Sequence, residues 1–162
     1  MTEPLPKLCI VEFRDDLVQV FHDINAQWIE ATFVMEATEC KVLENPRSII
    51  IDRDGVILFV EAGSLGIVGT VALMKTSDGV YELTKMGVLD VARGRKVGEF
   101  LLAACIARAR SIDIDCLYLL TNHICAPAIH LYEKAGFVHD AAIMQKYGNV
   151  YERCDVTMSF PL

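Results

Sequence analysis

The sequence predicts an α+β fold, in which helices pack against a mixed β-sheet. Hydrophobic residues make up 53% of the 162 residues and charged residues 23%, a composition that suits one domain with one apolar core. The apolar pattern changes along the chain from helical spacing to strand-like runs and back, and no repeat or linker interrupts it. We therefore expect residues 1–162 to form a single domain.

The first half of the chain predicts one strand, two helices and then a meander. Asp15 and Asp16 are typical helix-start residues, and Asn45-Pro46 is a stop signal. Asp-Gly and Ser-Asp-Gly turns separate the later apolar runs, as in antiparallel hairpins, and give three or four strands. The predicted elements are a strand at 8–13, helices over 17–29 and 37–43, and strands at 48–51, 56–60, 66–74 and 80–89.

The second half predicts single strands that alternate with helices. A helix is expected from about Gly94 to Arg110, because its apolar residues recur at helical spacing. Cys116–Leu120 is apolar on both faces, which parallel pairing inside a sheet would explain. A further helix at Ala126–Ala135 ends at Gly136, the usual C-terminal residue. Two last strands are expected at 137–142 and 151–160.

The net charge, the apolar runs and the cysteine spacing disfavour a nucleic-acid-binding, membrane, secreted or zinc-binding protein. A formal charge of −7 disfavours nucleic acid as the main partner and is compatible with a cationic substrate such as an amine. No apolar run reaches the length of a membrane helix, and Met1–Pro6 lacks the features of a signal peptide. The six cysteines form neither a CxxC pair nor a zinc-like spacing. We expect a cytoplasmic protein with reduced thiols, no metal and no membrane partner.

The most informative segment is a predicted strand followed by a short loop and a helix start. The first amides of a helix lack partners within it and, with the helix dipole, attract anions. Gly94 and Gly98 permit a tight turn and close approach of a ligand. Arg93, Arg95 and Lys96 add positive charge. The loop would fit a pyrophosphate, although basic helix starts are also common without one, and neither Walker nor GxGxxG spacing is present.

Two motifs identify a resemblance. Arg93–Gly98, Arg-Gly-Arg-Lys-Val-Gly, resembles the (Arg/Gln)-x-x-Gly-x-(Gly/Ala) acetyl-CoA motif of the GNAT superfamily of N-acetyltransferases. Lys96 replaces the usual middle glycine, and we expect pyrophosphate binding to persist if its dihedrals are helical. Leu119–Asn122 and Ala128–Phe137 look like the strand-Asn and A-x-x-LYEKxGF segments of the same family.

The resemblance implies a GNAT fold, an α/β sandwich-like arrangement of about seven strands with helices on both faces. In this fold the fourth and fifth strands splay apart, and the pantetheine arm of acetyl-CoA binds the exposed strand backbone while the loop binds the pyrophosphate. The resemblance implies acetyl-CoA as co-substrate. The implied cofactor-binding residues are Met86, Gly87, Val88, Arg93, Gly94, Arg95, Lys96, Val97, Gly98, Asn122 and Ala128.

Tyr132 is the leading catalytic candidate, because the family often has a tyrosine here and a phenol can protonate the departing thiolate. Glu82 is the second candidate, since a protonated amine must lose a proton before it attacks and a carboxylate on this strand could accept it. Glu36, Glu61 and His130 are lesser alternatives for this base.

Trp28 and Phe33 lie on the first long helix, with which relatives shape the acceptor pocket. An aromatic residue at helical spacing is more often part of the core, so no role is assigned to them. The expected function is transfer of the acetyl group of acetyl-CoA to a primary amine by direct attack in a ternary complex. A CoA-binding sensor without turnover is the alternative, and an O-acetyltransferase or a transferase of longer acyl groups stays open. The acceptor can be a small molecule, a peptide N-terminus or a lysine side chain, and a homodimer is permitted.

Overall fold

The computed structural model describes residues 7–162. The interpretation of Met1–Pro6 lies outside these residues. The strands form one seven-stranded sheet in the order β1-β2-β3-β4-β5-β7-β6. They are β1 (Leu8–Glu12), β2 (Val56–Ala62), β3 (Ile67–Ser77), β4 (Val80–Val88), β5 (Cys116–Thr121), β6 (Val138–His139) and β7 (Val156–Phe160). The helices are α1 (Val18–Thr32), α2 (Ala37–Glu44), α3 (Pro46–Ile49), α4 (Val97–Ser111), α5 (Ala126–Ala135) and α6 (Ala141–Tyr147).

The sheet is mixed, as expected. Strands β1 to β4 pair antiparallel in sequence order, and β5 pairs antiparallel with β7, which pairs with β6. The single parallel pair joins β4 and β5, with α4 as the crossover between them. The fold class predicted from the sequence is confirmed.

Helices cover both faces of the sheet. On one face, Leu101 and Leu102 of α4 pack with Leu83 of β4 in a cluster that also includes Tyr132 of α5. On the other face, the apolar residues of α1 to α3 pack against Phe59 of β2 and its neighbours. Because strand side chains alternate between faces, β2 and β3 contribute buried residues to both clusters, whereas β4, β5 and β7 contribute buried residues only to the α4-side cluster. The sheet is therefore a central layer between two separate apolar clusters.

The parallel pairing of β4 and β5 ends early. It runs from Val80–Cys116 to Glu82–Tyr118, whereas β4 continues to Val88 and β5 to Thr121. A bulge interrupts β4 at Lys85, which has a positive φ of 52°, and the register with β3 shifts there. Beyond Glu82 the two strands separate, so the backbone of residues 85–88 has no strand partner on that side. The expected splay is present.

One predicted strand, at 48–51, is wrong. Residues 48–51 are helical, as α3 followed by a 3-10 turn. Pro46 takes the first helical position, and one turn buries Pro46 and Ile50 while Arg47 and Ser48 stay exposed. Short apolar runs of this kind do not distinguish strand from helix by periodicity.

The C-terminal segment also differs from the prediction. Only Val138–His139 forms a strand within 137–142, because the Asp140 side chain accepts a hydrogen bond from the Ala142 amide (3.0 Å) and begins α6. Strand β7 begins at Val156 rather than at residue 151. Residues 148–155, which we name the connecting segment, have no regular strand pairing. Among residues 7–162, no helix combines the length and apolarity needed to cross a bilayer.

Candidate functional site

The opening between β4 and β5 is bordered by the start of α4 and by α5. A Cβ atom placed on Gly98 would lie 3.2 Å from Leu131 Cδ2 and 3.9 Å from Met86 Cε and Val88 Cγ2. Three elements therefore converge on this glycine, and any larger residue there would push against the Leu131 side chain. Of the predicted cofactor residues, the structure brings together Met86, Val88 and Gly98. Leu131 was not predicted.

The loop before α4 is exposed and turns through two left-handed residues. Gly94 has φ of 78° and Lys96 has φ of 60°, so α4 begins only at Val97. The condition of helical dihedrals at Lys96 is therefore not met, and the predicted helix start at about Gly94 is wrong. The left-handed region explains why a glycine would be favoured at this position.

The loop still has the properties of an anion site. The first backbone hydrogen bond of the helix runs from Phe100 N–H to Lys96 O (3.1 Å), so the preceding amides have no acceptor within the helix. Arg95 and Lys96 are exposed and add positive charge beside these amides. Arg93 is exposed beside Asp90, with Nε 3.1 Å from a carboxylate oxygen. These donors and cations fit the diphosphate of acetyl-CoA, which is the chemistry that the motif implies.

Asn122 uses both ends of its side chain inside the protein. Its Nδ2 donates to the Arg153 carbonyl (2.6 Å), and its Oδ1 accepts from the Ile124 amide (2.9 Å). Asn122 thus ties the end of β5 to the connecting segment. Ala128 is half-buried against the α4-side core. Contact of Asn122 and Ala128 with a cofactor arm stays a prediction.

Tyr132 is a buried residue of α5. Its ring packs edge-on against Phe137 at 5.8 Å between centroids. Burial raises the pKa of the Tyr132 hydroxyl, and the nearby Cys125 and Cys105 thiols act in the same direction. The hydroxyl therefore stays protonated across the physiological range, which is the form that a proton donor needs.

Glu82 is enclosed on the opposite face of the sheet. Its neighbours Tyr81 and Leu83 belong to the α4-side core, so alternation directs Glu82 toward the side of α1 and α2. Burial raises the pKa of this carboxyl, against the lowering effect of Lys85 and of hydrogen bonds with Thr84 and Tyr151. The carboxylate is therefore a stronger base than an exposed glutamate.

Lys85 connects Glu82 to a larger polar cluster. Burial lowers the pKa of its ammonium, although Glu82 and Glu39 oppose this effect. Its Nζ donates to the Tyr151 hydroxyl at 3.1 Å and lies 3.8 Å from Glu39 Oε1. The bulge at Lys85 places this side chain inside the protein at the point where the strands separate.

Arg153 of the connecting segment lies in the same cluster. Its Nη1 donates to Glu36 at 3.3 Å and to Glu39 at 2.8 Å, and its Nη2 donates to Glu39. The guanidinium carbon lies 5.9, 4.9 and 5.2 Å from the ring centroids of Trp28, Phe33 and Tyr151. We name these three rings and two carboxylates the guanidinium cage.

Local structure fixes the residues of the guanidinium cage. Glu36 and Glu39 form a capping box at the start of α2, with the Glu36 amide donating to Glu39 Oε2 at 3.1 Å. On α1, Asn25 Oδ1 accepts from Trp28 Nε1 at 3.0 Å and orients the indole. A Cβ placed on Gly87 would lie 2.5 Å from Trp28 Cδ1, so the indole packs directly on the β4 backbone.

Burial disfavours the charged form of Glu39, but the hydrogen bonds from Arg153 and the Glu36 amide outweigh it and lower its pKa. The carboxylate is therefore ionised at neutral pH even though it is fully buried. The other candidate bases lie elsewhere: Glu61 is exposed on β2, and the His130 side chain is 92% exposed on α5. No three metal-ligating side chains meet within residues 7–162.

Sequence reasoning missed most of the guanidinium cage. Trp28 and Phe33 received no functional role, because an aromatic residue at helical spacing is more often part of the core than of a binding site. Glu36-x-x-Glu39 before Val42 and Leu43 could have indicated a capping box. Nothing in the sequence predicted that Arg153 folds back to α2, since it lay in a predicted strand.

The comparisons with known proteins agree with the architecture. The family model of the acetyltransferase (GNAT) domain matches residues 53–139. An acetyltransferase of the GNAT family from Staphylococcus aureus is 19% identical over 95% of this chain and 98% of its own, with a TM-score of 0.84. An acetyltransferase from Streptococcus agalactiae is 18% identical over 96% and 98%, with a TM-score of 0.79.

A spermidine N-acetyltransferase chimera with Vibrio cholerae sequence is 19% identical over 94% of both chains, with a TM-score of 0.67. At these identities the likeness concerns the fold. No curated protein sequence matches the chain.

The left-handed backbone of Lys96 gives the first prediction. We expect Lys96→Gly to raise the free energy of unfolding by about 1 kcal/mol relative to Lys96→Ala, because only glycine removes the steric cost of this conformation. Both variants lose the same charge, so the pair isolates the backbone effect. Urea denaturation measures it, and equal stability of the two variants would contradict the strained conformation.

The Glu39–Arg153 pair gives a pH-dependent prediction. The folded pKa of Glu39 lies below its ordinary value of 4.5, so its contribution is complete above about pH 4.5 and decreases as the pH falls further, where the unfolded chain binds the proton first. Glu39→Gln should lower the free energy of unfolding by about 3 kcal/mol at pH 7.

This difference between the wild-type protein and Glu39→Gln should shrink at pH 3.5, as measured by urea denaturation. The contribution of Glu82 cancels because both proteins contain it. Glu30→Gln, at an exposed position of α1, is the control. A difference that stays equal at both pH values would show that the ion pair is not the cause.

Proposed function

Since the chain belongs to the GNAT acetyltransferase family, we propose that this acyltransferase moves the acetyl group of acetyl-CoA to a primary amine by direct attack in a ternary complex. The convergence of β4, α4 and α5 on Gly98, beside the opening between β4 and β5, is the observation that supports this proposal most strongly. The spermidine enzyme named above illustrates the small amines on which a protein of similar fold acts.

The proposed co-substrate site follows the opening and the loop. Acetyl-CoA would supply a thioester with a good leaving group. The backbone of Met86, Gly87 and Val88 lies beyond the last β4–β5 pair, so those of its polar groups that point toward β5 have no strand partner and would bind the pantetheine amides. The loop amides and cations, residues 93–98, would hold the diphosphate.

The catalytic roles follow from burial and position. Tyr132 would donate a proton to the departing thiolate, since burial keeps its hydroxyl protonated. Glu82 would accept the proton of the amine, directly or through water, since burial raises the pKa of its carboxyl. Much of the rate enhancement would come from holding the amine and the thioester together, and a β4 amide near Val88 would stabilise negative charge on the carbonyl oxygen.

The proposed setting is the cytoplasm, where the six cysteines, all free thiols, would stay reduced. The proposal includes no metal ion and no nucleic acid or membrane partner. A homodimer also stays a proposal. An O-acyl acceptor, a longer acyl group and a sensor without turnover are the competing functions.

Isothermal titration of acetyl-CoA and of CoA tests the co-substrate site. We expect dissociation constants in the micromolar range, roughly 1–100 μM. Arg93→Ala/Arg95→Ala should weaken binding by about tenfold or more, because hydrogen bonds to a charged phosphate are lost.

The matched control for this titration is Arg14→Ala/Arg53→Ala, which removes two exposed arginines away from the loop. It should leave the dissociation constant unchanged. An equal loss in both double variants would show a general charge effect and remove the loop from the site. No binding of either ligand to the wild-type protein would refute the proposed function.

Tyr132→Phe tests the proton donor. We expect kcat to fall roughly 100-fold while acetyl-CoA still binds, because only the hydroxyl is removed. Thiol release from acetyl-CoA, with the most active member of a panel of primary amines, measures the rate. Tyr118→Phe is the matched control, a buried tyrosine whose hydroxyl contacts Thr76. Unchanged turnover in Tyr132→Phe would exclude this role, and binding without turnover on any amine would favour the sensor.

A further inference from the structure

We propose that the guanidinium cage is the binding site for a cationic group of the acceptor, and that the Arg153 side chain occupies it until the acceptor displaces it. This inference rests on the proposed function, because it assigns the acceptor for that reaction. The predicted acceptor class is a short molecule with a primary amine at one end and a guanidinium or second ammonium group at the other.

The composition of the guanidinium cage points to a cation. Three ring faces within 4.9 to 5.9 Å of one guanidinium carbon are an arrangement that binds ligand cations. Glu36 and Glu39 add two carboxylates to the same group. A structural ion pair needs only a carboxylate, whereas this site surrounds the cation with rings as well.

The position of the guanidinium cage fits an acceptor site. The Trp28 indole approaches Gly87 through Cδ1 and Nε1, and its ring centroid lies 5.9 Å from the Arg153 guanidinium carbon. Gly87 belongs to the part of β4 on which the arm of acetyl-CoA is proposed to lie. A cation held in the guanidinium cage would therefore leave the other end of a short diamine close to the thioester.

An anionic acceptor fits this site less well. Both terminal nitrogens of Arg153 already bind carboxylates, and Lys85 is buried against Tyr151 and Glu39. An incoming carboxylate would meet Glu36 and Glu39 at short range and be repelled. The side chains around the guanidinium cage therefore favour a cation over an anion.

The Arg153 side chain can leave without unfolding the connecting segment. The segment is tied through its backbone, by Asn122 Nδ2 to the Arg153 carbonyl and by the Glu152 amide to Glu36 Oε1 (3.3 Å). Neither bond to the backbone uses the guanidinium. Rotation of one side chain would open the guanidinium cage while both ties persist.

Trp28 is the only tryptophan of the chain, so intrinsic fluorescence reports directly on the guanidinium cage. The probe is agmatine, which has a guanidinium and a primary amine, and succinate is the anionic comparison. We expect Arg153→Ala to bind agmatine at least about tenfold more tightly than the wild-type protein, because a tethered occupant competes at roughly millimolar effective concentration. Glu36→Gln in the Arg153→Ala background should reverse this gain.

Arg47→Ala is the matched control, since Arg47 also lies over an aromatic ring, that of Phe13 at 5.3 Å, but outside the guanidinium cage. It should leave agmatine binding unchanged. If Arg153→Ala does not fold, as circular dichroism would show, Arg153→Gln retains hydrogen-bond donors for Glu39 and serves for the same comparison.

Two results would overturn the inference. One is equal agmatine affinity, or none, in the wild-type protein and the Arg153 variant. The other is binding of succinate that the Arg153 variant loses, which would make Arg153 an anion-recognition residue. Titration of acetyl-CoA into the same variants separates the two proposals. Acetyl-CoA binding without an agmatine response overturns only the cation site. An agmatine response without acetyl-CoA binding overturns the proposed function, and with it the acceptor role of the cation site, but not the cation binding itself.

Discussion

The early end of the β4–β5 pairing is the constraint on which the remaining site depends. A parallel pair that stops at Glu82 and Tyr118 leaves the last part of β4 with free backbone groups in the middle of the sheet. Unpaired groups inside a protein cost free energy unless water or a ligand satisfies them. The bulge at Lys85 turns the strand at the same place and directs a lysine into the interior. One interruption of pairing thus creates both the gap and the polar cluster beside it.

The order of elements and the mixed sheet could be predicted from the sequence, because long apolar runs and glycine-containing turns are local signals. The helices at 46–49 and 141–147 could not, since a proline at a helix start and an aspartate cap outweighed the apolar pattern. Residues 151–155 were predicted as the first part of the last strand, although that strand begins at Val156. Their actual course depends on the tie from Asn122 and on the ion pair with Glu39, two contacts between distant parts of the chain.

The candidate site was predictable mainly on the α4 side of the sheet; on the other side only Glu82 and Glu36 were named as candidate bases. The loop and the start of α4 carry a motif, because binding a phosphate requires particular residues in consecutive positions. The guanidinium cage has no such motif, since it takes residues from α1, α2 and the connecting segment, and each of these residues has an ordinary explanation in its own element. The dihedral angles of Lys96 were also beyond the sequence, because a lysine is not expected to adopt a left-handed conformation.

The separation of the two faces has a consequence for the order of events in a catalytic cycle. The groups around Gly98 lie on the α4 side of the sheet, and the guanidinium cage lies on the side of α1 and α2. Two substrates that approach from opposite sides do not block each other's entry. Neither has to leave before the other arrives, so the order of binding would be free. The reacting groups would meet at the opening between β4 and β5.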